Sequence, residues 1–285
     1  MMAKSTGARS AQYERTMHWP GGEHVWWPTH DRTMQVPDRT PVLLYLHGGG
    51  FIACSPTTHR PLVSSLVRRL GGEAFVPSYR LAPEHPHPAA LDDARNAYVH
   101  LIEDRGIDPA RIIIAGDSAG GGLALALTMA LRDQGTPLPA GVLLFSPWTD
   151  MTGTSASLDE NSDSCAMFAG ETIRRASRFY VGDGDPFHPM LSPVFGNFDG
   201  LPPLLVHACQ DEVLRDDATR VAERARDAGV VVSLRLWRHV PHVWQFFAAV
   251  LPEARESLSD ATAFVREVMM PGGATPDGER VQPGT

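Results

Sequence analysis

The chain has 285 residues, of which 43% are apolar and 20% charged, and carries a formal net charge of −8. A chain of this size and composition folds around a substantial core, so disorder throughout is excluded. The acidic balance removes the long-range attraction that nucleic acids and anionic membranes supply, and nucleic acid is not an expected partner. No run of about 18 apolar residues exists and no apolar stretch follows Lys4 and Arg9, so no membrane span or secretory leader is expected and the reading is cytoplasmic. Cys54, Cys165 and Cys209 are odd in number and lack metal-ligand spacing, which fits reduced thiols rather than a disulfide framework or a zinc site.

Taken in chain order, Met1 to Gly22 precedes any strand pattern and is expected to join a cap over the site. The first strand is read over Val42 to Leu46, the next over Ala74 to Ser78. A helix follows over Pro88 to Asp104, opened by a proline and stopped before Gly106. A strand over Arg111 to Ala115 runs into a small-residue helix from Gly121 to Leu131, and another strand covers Val142 to Phe145. Thr152 to Gly200 shows helix potential around Gly170 to Tyr180 but no strand, as an insertion over the carboxyl ends of a sheet would. The chain continues with a strand over Pro203 to His207, a helix over Asp216 to Asp227, a strand over Val230 to Trp237 and a helix over Glu253 to Met269. Residues 271–285 carry Pro271, Gly272, Gly273, Pro276 and Gly278 and are expected to be a frayed tail on a single domain of residues 1–270. Strands alternating with helices, several of them apolar on successive residues, predict an α/β fold with a mostly parallel sheet covered on both faces.

Gly116-Asp117-Ser118-Ala119-Gly120 lies between a strand and a helix, the setting of a sharp turn that lifts a serine hydroxyl off the sheet; Ser118 is the candidate nucleophile. His47-Gly48-Gly49-Gly50-Phe51 follows the first strand and offers backbone N–H groups for a tetrahedral oxyanion, with Gly48, Gly49 and Ala119 as the expected donors. A serine needs a base, and the base an orienting acid, in the order Ser, acid, His for this type of sheet. Asp211 follows one strand end and is the favoured acid. Glu212, Asp216 and Asp217 compete, the last two read as carboxylates serving a helix N-terminus. His239 and His242 follow the next strand end, and spacing alone does not separate them as bases.

These motifs, with Tyr79-Arg80-Leu81-Ala82-Pro83-Glu84, Asp211-Glu212-Val213-Leu214 and Pro241-His242-Val243-Trp244, resemble the hormone-sensitive-lipase-like family of α/β-hydrolases, the bacterial family IV esterases. The resemblance covers about residues 41 to 268 and implies an α/β-hydrolase fold and a serine carboxylic-ester hydrolase working without cofactor or metal. It implies Ser118 as nucleophile, Asp211 as acid, His242 as base, and Gly48, Gly49 and Ala119 as oxyanion donors. The implied partner is a small-molecule ester of short to medium acyl chain, with a homodimer through the last strand and helix as a further expectation. A metabolite deacetylase, or a non-catalytic receptor on the same fold, is the alternative. The N-terminal segment is shorter than in relatives, so a reduced cap is expected. Cys54 and Cys209 stand where relatives carry small residues.

Overall fold

Ile112, Ile113 and Ile114 are all fully buried, which a strand achieves only when both faces of its sheet are covered. The computed structural model describes the backbone of residues 12–16, 21–26, 40–270 and 280–281. The strands are β1 (Gln12–Thr16), β2 (Gly22–Trp26), β3 (Val42–Leu46), β4 (Glu73–Pro77), β5 (Ile112–Asp117), β6 (Gly141–Phe145), β7 (Leu204–Cys209), β8 (Val232–Trp237) and the two-residue β9 (Arg280–Val281). They form one sheet in the order β1-β2-β4-β3-β5-β6-β7-β8-β9. Pairing is antiparallel for β1 with β2 and β2 with β4, and parallel elsewhere.

The helices are α1 (Pro56–Leu70), α2 (Ala89–Val99), α3 (Ala119–Asp133), α4 (Ser157–Glu160), α5 (Gly170–Val181), α6 (Arg215–Asp227) and α7 (Pro252–Val268). Side chains alternate along β3, so Val42, Leu44 and Leu46 enter the core under α2, α3 and α6, while Leu43 and Tyr45 enter the core under α1 and α7. The helix expected over Pro88 to Asp104 ends as α2 at Val99 and continues as a π-helical turn over His100–Asp104. Gly71, at φ 67°, closes α1 by donating its N–H to Val67 O, a left-handed cap that glycine adopts without Cβ strain.

Two expectations change. Residues 12–16 and 22 do not lie over the carboxyl ends of the parallel strands: β1 is the edge strand of the sheet and β2 lies between it and β4, both pairings antiparallel. The rest of Met1 to Gly22 lies outside the described residues. So does the expected tail over 271–285, except Arg280–Val281, whose backbone pairs with β8.

Residues 152–200 behave as the expected strandless insertion and contain α4 and α5. Two carboxylates in the first turn of α6 tie this segment down. Asp217 accepts the N–H groups of Thr149 (2.6 Å) and Asp150 (2.8 Å) and the hydroxyl of Ser155, and Asp216 accepts the N–H of Ser157. Among the described residues no helix is long and apolar enough to cross a membrane.

His207, on β7, is fully buried, and burial together with nearby Arg235 pulls its pKa down to about 3. The unfolded ring titrates near about 6.5, so this group costs no stability above that pH and destabilises progressively as pH falls toward its folded value. The slope of unfolding free energy against pH should therefore be shallower in His207→Phe by about 1.4 kcal/mol per pH unit between about pH 6 and pH 4. Urea titrations of both proteins across that range measure it, and equal slopes would refute the buried neutral imidazole.

Candidate active site

β5 delivers Ser118 through a turn in which the backbone has almost no clearance. A Cβ on Gly116 would lie 2.3 Å from Gly120 O, and one on Gly120 would lie 2.0 Å from Leu46 O, so neither position accepts a side chain. Ser118 itself is held at φ 53° and ψ −123°, a strained conformation that the surrounding hydrogen bonds impose. Its N–H donates to Phe145 O at the end of β6, and its carbonyl accepts from Gly121 and Trp148. The hydroxyl thus stands at the first residue before α3, beyond the carboxyl end of the sheet.

The triglycine loop after β3 divides its N–H groups differently from the sequence expectation. Gly48 N–H donates to Asp117 Oδ1 at 3.1 Å, and a Cβ on Gly48 would meet Asp117 Oδ2 at 2.2 Å. It is engaged beneath the loop and does not face the cavity. Gly49 (φ 119°) and Gly50 (φ 64°) line the cavity, and among the described residues neither N–H has an acceptor. Ala119 opens α3, where an N–H has no partner within the helix. Of the expected donors Gly48, Gly49 and Ala119, Gly48 is thus turned to Asp117, and Gly50 joins Gly49 and Ala119 in the position to donate. His47 lies under the loop, stacked 4.2 Å from the Tyr79 ring, and burial lowers its pKa to about 4.

His242 is 5% exposed and its Nδ1 lies 2.5 Å from Glu212 Oε2, a carboxylate that is 1% exposed. Glu212 Oε1 accepts the N–H of Cys209 at 2.7 Å, so both its oxygens are engaged. Asp211, the expected acid, points away. Its carboxylate accepts the N–H of His239 at 2.8 Å and faces His239 Nδ1 at 3.5 Å, in a pair that is 32% and 84% exposed. The correction is one residue in the chain but a reversal in space. The tight turn after β7, in which Glu212 N–H reaches back to Cys209 O, brings Glu212 inward with Val213 and Leu214 and leaves Asp211 at the surface. The inward run Glu212-Val213-Leu214 was the available signal, because a residue joined to two buried apolar neighbours shares their side of the turn. His242 Nε2 is buried without a hydrogen-bond partner among the described residues, and His242 and Ser118 line the same cavity.

That cavity has a volume of about 630 Å³. Phe168, Met167 and Ile173 of the insertion form one wall, and Phe246 and Phe247 after His242 form another. Phe168 meets the His242 ring edge-on at 5.4 Å. Cys54 (φ 71°) lines the cavity beside the triglycine loop, whereas Cys209 is fully buried and burial raises its thiol to about 11, so it packs as a neutral group. The side chains of Trp26 and Trp27, apolar candidates for the same wall, lie outside the described residues.

Comparison with known proteins places this geometry. A family model described as the alpha/beta hydrolase fold matches residues 43–246. The chain is 43% identical over 224 residues to an acetyl-hydrolase of Streptomyces hygroscopicus, covering 79% of this chain and 75% of that one. It is 39% identical over 226 residues to an esterase of Acinetobacter venetianus, covering 79% and 74%. The crystal structure of an esterase from the bacterial hormone-sensitive lipase family superposes with a TM-score of 0.86 at 39% identity, covering 92% of this chain and 86% of that one. The chain belongs to the alpha/beta hydrolase fold family, in its hormone-sensitive-lipase group. It is a carboxylesterase-like hydrolase.

Replacing the partner of an imidazole in a serine triad by its amide costs about 10⁴ in kcat, because the wrong tautomer is then held. Glu212→Gln should show a loss of that order, while Asp211→Asn retains most of its turnover. Steady-state kinetics of the two variants decide it, and the opposite ranking would restore Asp211.

Proposed function

We propose that this enzyme hydrolyses neutral carboxylic esters of short to medium acyl chain through an acyl-enzyme on Ser118. The carrying observation is the buried Glu212–His242 bond beside Ser118, with Gly49 and Gly50 N–H groups lining the same cavity. His242 Nε2 takes the proton of Ser118 as its Oγ attacks the ester carbonyl, and the imidazolium then protonates the leaving alcohol. Glu212 fixes the ring with Nδ1 protonated and stabilises its charge. The oxyanion gathers hydrogen bonds from Gly49, Gly50 and Ala119, donors that need no reorganisation when charge develops. Water, deprotonated by His242, attacks the acyl-enzyme and frees Ser118.

The acyl range rests on the cavity. Its volume falls inside the range of about 300–1,000 Å³ common to small-molecule sites, and its walls are Ile52, Met167, Phe168, Ile173, Phe246 and Phe247. Among the described residues no charged side chain lines it apart from the buried pair of His59 with Asp117. The acetyl-hydrolase relative supports a short acyl group.

Ser118→Ala should fold and bind ester while losing about 10⁶ in kcat. Along a series of p-nitrophenyl esters, each methylene buried in the transition state gains about 0.8 kcal/mol, or about fourfold in kcat/KM, until the cavity is filled. The series should peak at short to medium chains and fall by decanoate. A rise continuing to decanoate would overturn the proposed range, and turnover surviving in the alanine variant would overturn the nucleophile.

A further inference from the structure

Beneath the triglycine loop lies a buried charge that the proposed mechanism does not use. His59, in the first turn of α1, is 3% exposed, with Nε2 3.2 Å from Asp117 Oδ1 and 3.3 Å from Oδ2. Asp117 precedes Ser118 and is 2% exposed; Tyr45 OH donates to its Oδ1 at 2.8 Å, as does Gly48 N–H at 3.1 Å.

The hydrogen-bond pattern favours a doubly protonated His59. Thr58 Oγ1 donates its one hydrogen to Ser55 O at 2.7 Å, so toward His59 Nδ1, 2.9 Å away, it acts only as acceptor. Nδ1 therefore carries a proton. Nε2 faces a carboxylate, which accepts and cannot donate when ionised, so Nε2 carries the other. A doubly protonated ring leaves Asp117 as the acceptor of the Gly48 N–H, although His59 Nε2 is also within 3.2 Å of that nitrogen. The charge sits at the positive end of the α1 dipole, an unfavourable place that Asp117 compensates, with a backbone hydrogen bond to Ser55. Burial works against this ring's charge, but the charge and hydrogen bond of Asp117 outweigh it and the pKa of His59 rises. Burial likewise opposes ionisation of Asp117, yet His59 holds its carboxyl below the ordinary range.

We infer that His59 is a positioning residue for ester hydrolysis: its imidazolium anchors Asp117, and Asp117 holds Gly48 N–H so that Gly49 and Gly50 present theirs to the oxyanion. The inference rests on the proposed roles of Ser118 and of those two donors. Two links carry it, His59 to Asp117 and Asp117 to Gly48, and Asp117 is covalently joined to the nucleophile. The same carboxylate thereby spans both halves of the reacting centre. An anchor lost at His59 frees the loop; the ring also meets Phe246 of the cavity wall edge-on at 5.0 Å, a contact that asparagine and glutamine lose alike, so the difference between those two variants reads the anchor alone.

Two nearly isosteric variants separate this from packing. In His59→Gln the amide nitrogen stands near the place of Nε2 and still reaches Asp117; in His59→Asn it stands near Nδ1 and does not. His59→Asn should lower kcat about 10²-fold, as loss of an oxyanion donor does, with KM within about threefold of the unmodified enzyme. Its affinity for a trifluoromethyl ketone, whose adduct on Ser118 carries an oxyanion, should fall by the same factor. His59→Gln should stay within about tenfold in both measurements. The inference is overturned by a normal kcat in His59→Asn, by equal loss in the two variants, by ketone affinity that does not follow kcat, or by an asparagine chain that cannot fold. Ser118→Ala assayed in parallel separates the two levels: turnover surviving there removes the proposed nucleophile, while turnover lost there with His59→Asn normal removes only the role of His59.

Discussion

Everything in the site hangs on how closely the backbone at Gly116 and Gly120 approaches its neighbours. The turn after β5 crosses the end of β3 with its glycine Cα atoms against the carbonyls of Leu46 and Gly120, distances at which no Cβ fits. That approach forces Ser118 into a conformation that costs on the order of 1–3 kcal/mol, held by the bonds to Phe145, Trp148 and α3. The strain places a hydroxyl at the start of α3 and brings the triglycine loop against Asp117. One steric constraint thus places Ser118 and the triglycine loop together. Neither could move without the other.

The histidine and its carboxylate come from a different part of the sheet, the turns after β8 and β7. Their connection to the turn that carries Ser118 is the cavity that both line, whose walls are mostly apolar. The bond between His242 and Glu212 is buried, while the neighbouring pair of His239 with Asp211 faces water. Two acid–histidine pairs, offset by a few residues, have opposite environments. Only the buried pair can hold an imidazole in one tautomer, because an exposed one exchanges its partner for water.

Much of this could be read from the sequence because it is periodic or punctuated. Ile112 to Ile114 and Val142 to Phe145 are apolar on successive residues, which marks central strands, and Gly106 and Gly229 mark helix and loop boundaries. The helix α1 was not marked, because Pro56 and Pro61 resemble breakers. Pro56 occupies the first helical turn, where a missing N–H costs nothing, and Pro61 is tolerated inside the helix. The antiparallel strands β1 and β2 owe their place to pairing, β2 with β4 and β1 with β2, rather than to a local pattern. The errors at the site have one cause. Gly48 and Gly50 are two residues apart and Asp211 and Glu212 are adjacent, each pair is of like chemistry, and the geometry of the turn sets which member faces the cavity. For the glycines, the deciding partner was Asp117, remote in sequence from the loop it holds.

The central claim is that one strained serine, lifted by this turn, performs the attack. Its most direct measurement is the site of phosphorylation by diethyl p-nitrophenyl phosphate, an ester whose adduct is not turned over, mapped by peptide mass spectrometry alongside residual activity. The account requires a single diethylphosphoryl group on Ser118, p-nitrophenol released in equal amount, and activity lost in proportion. A group found on another residue, or full activity in protein phosphorylated at Ser118, would contradict it.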